Sequence, residues 1–191
     1  MTLMTSNGVL FQRNEISDFI EKALEFDNID IAVYLFEQHE PFRILTFKTQ
    51  LYFACDFGQV EKARLLMTYC LEPESMFDCC ILSNGFRIAC LHGNIDTVEF
   101  FMLHTWFRNI SLANHDFTFF KTCSFLHLDI AKRLYKDIPI TIKVVQKVLL
   151  FMQNAIFPIG DRDKYTQMID WLQSINLKEL SVKLIENENH S

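Results

Sequence analysis

The stretch A-C-L-H-G-N-I-D-T-V-E-F-F-M, from Ala89 to Met102, decides the fold because variants of it recur along the chain. One copy begins at Ala23 as A-L-E-F-D-N-I-D-I-A-V-Y-L-F, and another begins at Ala54 as A-C-D-F-G-Q-V-E-K-A-R-L-L-M. A fourth copy, T-C-S-F-L-H-L-D-I-A-K-R-L-Y, begins at Thr122. Successive starts lie 31, 35 and 33 residues apart. A recurring period of this size is typical of stacked repeat arrays.

Each copy predicts two helices joined by a tight turn. We number its positions from the turn residue, which is Asp27, Gly58, Gly93 or Leu126. Apolar residues occupy positions +2, +5, +8 and +9 of every copy, and this spacing places them on one face of a helix. These residues are Ile29, Ala32, Leu35 and Phe36; Val60, Ala63, Leu66 and Met67; Ile95, Val98, Phe101 and Met102; and Leu128, Ala131, Leu134 and Tyr135.

Polar residues at the turn predict where the second helix begins. The +1 residues are Asn28, Gln59, Asn94 and His127. Asparagine there is a good N-cap. The +3 residues are Asp30, Glu61, Asp96 and Asp129. A carboxylate in the first turn is stabilised by the helix dipole, by roughly 0.3–1 kcal/mol.

The helix before the turn has small residues where two helices would approach closely. Position −4 is occupied by Ala23, Ala54, Ala89 and Thr122, and position −3 by Leu24, Cys55, Cys90 and Cys123. A single helix pair cannot bury its apolar face, so we expect the pairs to stack on a continuous core. The predicted fold is an all-α solenoid of about five helix pairs, with little or no β-hairpin.

A fifth unit is predicted near the end of the chain. Its first helix extends from Ile142 to about Ala155, with Val144, Val145, Val148 and Met152 as the apolar side. After a loop over Ile156–Asp163, the +2, +5, +8 and +9 spacing returns as Tyr165, Met168, Trp171 and Leu172. The units lie near 16–47, 48–81, 82–115, 116–140 and 141–180 of one domain over 1–185, and 186–191 reads as a polar tail.

Composition restricts the function classes. The chain has 191 residues, a net charge of −6 and a half-apolar composition, which disfavours disorder and nucleic-acid binding. No apolar stretch is long enough for a membrane span, and Met1–Asn14 lacks the features of a secretory signal. We therefore expect a cytoplasmic protein in which Cys55, Cys90 and Cys123 pack as small core residues.

The segments Gly58–Leu66 and Gly93–Phe101, with the Ala-Cys pairs before them, resemble the centre of an ankyrin repeat. Thr49–Cys55 (T-Q-L-Y-F-A-C) keeps the Thr, Leu and first Ala of the family's T-P-L-H-L-A-A motif. The resemblance covers about Ser17–Tyr135, but the Pro-His pair and the usual hairpin sequence are missing. Linkers such as Gln38–Phe47 and Leu71–Leu82 stand in their place. The resemblance implies a non-enzymatic protein-interaction module that binds through the exposed side of its first helices.

Gly58–Met67 is also similar to the middle of a pentatricopeptide repeat, a family that reads single-stranded RNA. The acidic charge and the lack of a regular basic stripe favour the ankyrin-like interpretation. The phenylalanine-rich composition is typical of AT-rich genomes, and degenerate ankyrin-like proteins are numerous in large DNA viruses and intracellular bacteria. This composition suggests an effector that acts on host proteins in the host cytoplasm.

Two sets of residues before the turn are candidates for partner binding. Position −1 holds Phe26, Phe57, His92 and Phe125, and position −2 holds Glu25, Asp56, Leu91 and Ser124. Residues at −1 lie three positions after the small residue and are expected to pack beside it, or alternatively to form an aromatic stripe facing a partner. Residues at −2 are expected to be exposed. The resemblance implies partner contacts from Asp56, Phe57, Leu91, His92, Ser124 and Phe125.

No pattern predicts catalysis or a cofactor. The sequence has no nucleophile elbow, P-loop, dinucleotide fingerprint or metal-binding helix motif, although an unrecognised enzyme stays open as a third class. Cys79, Cys80, His92 and His104 match no standard zinc spacing, so no metal site is predicted. We expect Cys79 and Cys80 to lie where the chain enters the next helix, partly in a loop and partly in the core. We expect Trp106 and Phe107 to form an apolar lid.

Overall fold

The computed structural model describes the backbone of residues 2–4, 10–38, 47–70, 76–103, 115–155 and 161–188. Within these ranges the chain forms ten helices and one antiparallel pair of strands, β1 (Thr2–Met4) and β2 (Leu10–Gln12). The helices are α1 (Arg13–Glu25), α2 (Ile29–Gln38), α3 (Phe47–Asp56), α4 (Val60–Cys70), α5 (Met76–His92), α6 (Ile95–Leu103), α7 (His115–Ser124), α8 (Leu128–Asp137), α9 (Ile142–Asn154) and α10 (Arg162–Glu188). The predicted all-α class is confirmed. No helix in these ranges is long and apolar enough to cross a membrane.

The chain divides into two compact units. Unit 1 contains Met1–Ala89 and Asp96–Ser111, and unit 2 contains Cys90–Ile95 and Leu112–Ser191. The sequence predicted one domain with five repeats, and those boundaries stay a prediction.

The backbone at the turn explains the recurring pattern. All four predicted turn residues have positive φ, at +56° for Asp27, +67° for Gly58, +78° for Gly93 and +64° for Leu126. Three of these turns share a bond in which the +1 amide donates to the −4 carbonyl. The pairs are Asn28 to Ala23 at 2.8 Å, Gln59 to Ala54 at 2.8 Å and His127 to Thr122 at 3.1 Å. This is the Schellman ending, in which a left-handed residue closes a helix.

The +1 residue also begins the following helix, as predicted. The carbonyls of Asn28, Gln59 and His127 accept bonds from the amides four residues later, at 3.1, 3.0 and 2.9 Å. The carboxylates at +3 all lie in the first turn of their helices. The side chain of His127 makes no capping hydrogen bond, so its capping function is carried by the backbone alone.

Burial confirms the predicted helix faces. Every residue at −4 and −3 is buried. The +5 residues Ala32, Ala63, Val98 and Ala131 have no exposed surface. The +2 residues lie at the margin of the core and are half-buried. The side chains at −4 are small and those at +5 are mostly alanine. These positions therefore lie where the two helices of a pair approach closely.

Three helix pairs and the strand pair β1–β2 make up the described part of unit 1. Helix α1 packs on α2, α3 packs on α4, and α2 contacts α4. The Lys62 ammonium on α4 is buried and donates to the Leu24 carbonyl near the end of α1 at 2.8 Å. Burial lowers the pKa of Lys62, although Asp27 and Glu25 oppose this. A charged donor thus ties the second pair to the first.

The third pair of unit 1 approaches the second closely. A Cβ at Gly85 of α5 would lie 3.2 Å from the Cys55 Sγ of α3 and 3.3 Å from the Phe101 ring of α6. Arg64 of α4 lies over the Phe100 ring at 5.0 Å. Glycine at position 85 therefore permits close packing of α5 against its neighbours.

Four helices form most of unit 2. Helix α7 packs on α8 and α9, and α10 packs on α9 and α8. The predicted first helix of the fifth unit is confirmed as α9, with Val145, Val148 and Met152 buried. Met168 and Leu172 of α10 are also buried, as their spacing predicted.

Two helices have bounds that differ from the predicted ones. The linker over Leu71–Leu82 is shorter than predicted because α5 already begins at Met76. Helix α10 begins at Arg162, inside the loop predicted over Ile156–Asp163. It continues to Glu188, past Glu186, where the polar tail was predicted to start. Polarity at the end of a chain does not prevent a helix from continuing when its residues have good helix propensity.

Candidate interaction surfaces

Three phenylalanines at position −1 are exposed, and we call Phe26, Phe57 and Phe125 the terminal phenylalanines. Their side chains are 70%, 70% and 57% exposed, and His92 is exposed as well. The expectation that these residues pack beside the small −4 residue is wrong. Each terminal phenylalanine still donates its amide to the carbonyl four residues earlier, as in a helix, at 3.1, 2.9 and 2.9 Å. Each is the last residue before the left-handed turn, and its side chain is exposed there.

Position −2 is less exposed than the sequence predicted. Glu25 is exposed, but Asp56, Leu91 and Ser124 are half-buried. The Ser124 hydroxyl donates to the Phe120 carbonyl at 2.8 Å, within its own helix. The most accessible side chains of the predicted partner-binding set are therefore Phe57, His92 and Phe125.

In unit 1 other exposed phenylalanines lie on the helices that precede the terminal phenylalanines. Phe57 stacks on Phe53 of α3 with ring centroids 6.3 Å apart, and Phe53 is itself half exposed. Phe19 of α1, the helix before Phe26, is also exposed. The ends of α1 and α3 thus leave apolar surface in contact with water.

In unit 2 the turn between α7 and α8 is organised around His127. Its Nε2 donates to the Leu91 carbonyl at 2.8 Å, so the neutral ring carries its proton on Nε2. The Phe125 ring stacks on the His127 imidazole, with the ring centroids 6.5 Å apart and the two planes inclined by only 9°. The structure thus brings together the predicted residues Leu91 and Phe125, with His127 between them.

The environment of His127 predicts a pH-dependent stability. Burial lowers its pKa from the ordinary 6.5, Lys164 and His92 act in the same direction, and the bond to Leu91 opposes them. Burial lowers the pKa of His115 as well, against Asp116. The unfolded chain then takes up protons at a higher pH than the folded chain does. The contribution of these two histidines to the free energy of unfolding is therefore at its full value above about pH 7. It falls as the pH drops through 6.5 toward the lower pKa values of the folded chain.

Urea denaturation of the wild type and of His127→Gln between about pH 5 and pH 8 measures this effect. We expect the variant to lose part of the acid-side slope, since glutamine does not titrate, while His115 supplies the remainder. His115→Gln is the companion variant and should lose the other part of the slope, because burial lowers the pKa of His115 as well. Equal slopes in wild type and His127→Gln would contradict the assignment.

A groove of about 360 Å³ lies between α7 and α9 of unit 2. It is lined by Phe120, Lys147, Leu150, Phe151, Asn154 and Ala155. The rings of Phe120 and Phe151 lie 5.1 Å apart. Leu150 is 64% exposed and Phe151 is 44% exposed. This volume is at the lower end of the range for ligand sites, roughly 300–1,000 Å³.

Sequence reasoning missed this groove, although a signal for it was present. Lys147, Leu150, Phe151 and Asn154 recur at i, i+3, i+4 and i+7, which defines a second face of α9. The first face, with Val145, Val148 and Met152, is buried. Helix α9 therefore has a second, partly apolar face that is not buried in the core of its own unit.

Cys55, Cys90 and Cys123 are buried and pack in the core. Burial raises the pKa of the Cys55 thiol to about 12 and raises that of Cys123 further, so neither is a thiolate near neutral pH. Cys79 and Cys80 lie inside α5 rather than in a loop, and the Cys80 side chain is exposed. Among the side chains that the structure describes, no three His, Cys, Asp or Glu residues are grouped for a metal ion.

His104 and the predicted lid Trp106-Phe107 lie outside the described residues, as do most of the linkers where hairpins were considered. No family model, no curated protein and no solved structure matches this chain.

Proposed function

We propose that this protein is a non-enzymatic interaction module of stacked, ankyrin-like helical repeats that binds other proteins inside a cell. The observation that carries the proposal is the exposure of the terminal phenylalanines at one repeated position. Aromatic side chains are enriched where protein partners bind, because each buries a large area at low entropic cost. Repetition at the same turn gives these side chains a common placement within their repeats.

The helix pairs support the repeat interpretation. The same left-handed turn closes four first helices, and small buried residues recur at the same helix contacts. Position −2 varies from copy to copy, as Glu25, Asp56, Leu91 and Ser124. A constant framework with variable surface residues is what a binding array requires.

The proposal is tested by partner capture with a triple variant, in which the terminal phenylalanines are all replaced by serine. Proteins captured by the wild type from candidate host cytosol are identified, purified and titrated against both forms. We expect at least a tenfold loss of affinity in the triple variant, since exposed aromatic anchors dominate such interfaces. The matched control replaces Tyr34, Leu103 and Leu177, which are exposed at other positions, and should bind as the wild type does.

Equal affinity of the triple variant and the wild type would contradict the proposed surface. Tight and salt-sensitive binding to single-stranded RNA in a filter assay would instead favour the pentatricopeptide-like alternative. Circular dichroism of each variant separates a lost contact from a lost fold.

A further inference from the structure

We infer that the groove between α7 and α9 binds a peptide segment of a partner protein, in which a large apolar side chain is flanked by carboxylates. This inference rests on the proposed function and names the class of segment recognised. The apolar floor is the first step. Phe120, Leu150 and Phe151 leave apolar surface in contact with water around a concave site, and filling it with one apolar side chain removes that surface from water.

The charge at the groove is the second step. The Lys147 ammonium lies over the Phe120 ring at 5.8 Å, and both side chains line the groove. This contact holds a cation beside the apolar floor. Helix α9 carries Lys143 and Lys147 but no carboxylate, and Asp116 is the single acidic residue of α7.

This local balance is opposite to that of the whole chain, which has a net charge of −6. Lys147, with Lys143 one turn before it on α9, gives this groove a cationic rim on one side, which attracts a segment with carboxylates and disfavours a basic one. The overall acidity also disfavours a polyphosphate backbone as the occupant, because phosphate binding depends on many cations acting together. An acidic peptide with an apolar anchor fits both the floor and the rim.

Selection of a library of short random peptides against the full chain, at low salt, tests the inference. Enriched peptides should carry Phe, Trp or Leu flanked by Asp or Glu. Their affinity, measured by fluorescence anisotropy, should fall at least tenfold in Leu150→Ser and in Lys147→Glu. It should also fall at high salt, since the rim charges are exposed and screened.

Two matched controls are available in unit 2. Leu177 is 65% exposed, against 64% for Leu150, and lies on α10 outside the groove. Lys132 is an exposed lysine on α8. Leu177→Ser and Lys132→Glu should bind the selected peptides within twofold of the wild type.

Several results would overturn the inference. These are enrichment of basic peptides, no enrichment at all, binding that Leu150→Ser leaves unchanged, and binding of single-stranded RNA that Lys147→Glu abolishes. A wild-type dimer that dissociates in Leu150→Ser, seen by light scattering, would assign the groove to a second copy and also overturn it. If the selected peptides depend instead on Phe57 or Phe125, the proposed function stands and the groove inference alone fails.

Discussion

We expect Gly93→Ala to destabilise unit 2 by about 2–4 kcal/mol, from a left-handed backbone and an overpacked contact together. Gly93 has φ of +78°, and an added Cβ would lie 2.6 Å from both Cε1 and Nδ1 of the His127 ring. The ring cannot simply move away, because its Nε2 is held by the Leu91 carbonyl. Urea denaturation of the purified variant measures the change.

Two controls separate the causes of this loss. Gly58→Ala, at φ of +67° in the equivalent turn of unit 1, reports the cost of the backbone conformation, about 1–2 kcal/mol. Gly93→Ala made in a His127→Ala background removes the contact with the ring and should be less destabilising than in the wild type. If the loss is the same in both backgrounds, the contact with His127 does not limit the site.

Asp27 and Leu126 show why the contact, rather than the backbone alone, makes glycine necessary at position 93. Both occupy the same turn position with positive φ and carry a side chain. Asp tolerates this conformation better than most residues do, whereas Leu126 also buries an apolar side chain there. The left-handed turn is therefore a fixed feature of the repeat, and the residue type depends on the neighbouring side chains.

The helical framework was predictable because its signals are local. The periodic apolar positions and the turn residue fix where each second helix begins, and the burial of the −4, −3 and +5 residues follows from the helix period. The ends of helices are less well determined, since capping geometry and packing decide them. The prediction for Phe26, Phe57 and Phe125 was wrong because each is the last residue before the left-handed turn, where its side chain is exposed.

The groove was less accessible to sequence reasoning because it depends on two helices that are not consecutive. Phe120 on α7 and Phe151 on α9 are separated by α8, and only tertiary packing brings their rings to 5.1 Å. The periodic second face of α9 was visible in the sequence. A solvated helix face with lysines has the same sequence pattern, so the groove can be recognised only when the neighbouring helix is known. The contact between Gly93 and His127 likewise joins residues of different copies.

Phe119→Ala is expected to have the largest effect of all, a loss of about 3–5 kcal/mol in the unfolding free energy of unit 2. Phe119 on α7 has no exposed surface. Its ring lies 6.3 Å from those of Tyr135 on α8 and Trp171 on α10, which meet each other edge to face at 6.1 Å. The substitution removes the aromatic group shared by three helices and leaves a cavity that rigid helices fill poorly.

Phe117→Ala is the matched control, because it changes the same residue type on the same helix two positions away. Phe117 is 48% exposed, so its truncation should lower stability by no more than about 1 kcal/mol. Denaturation followed by tryptophan fluorescence in a Trp106→Phe background reports on Trp171 in the cluster. Since Phe120 belongs to the same helix, partial loosening of α7 should also weaken peptide binding in the groove. Similar losses in the two variants would show that Phe119 does not anchor α7 to α8 and α10.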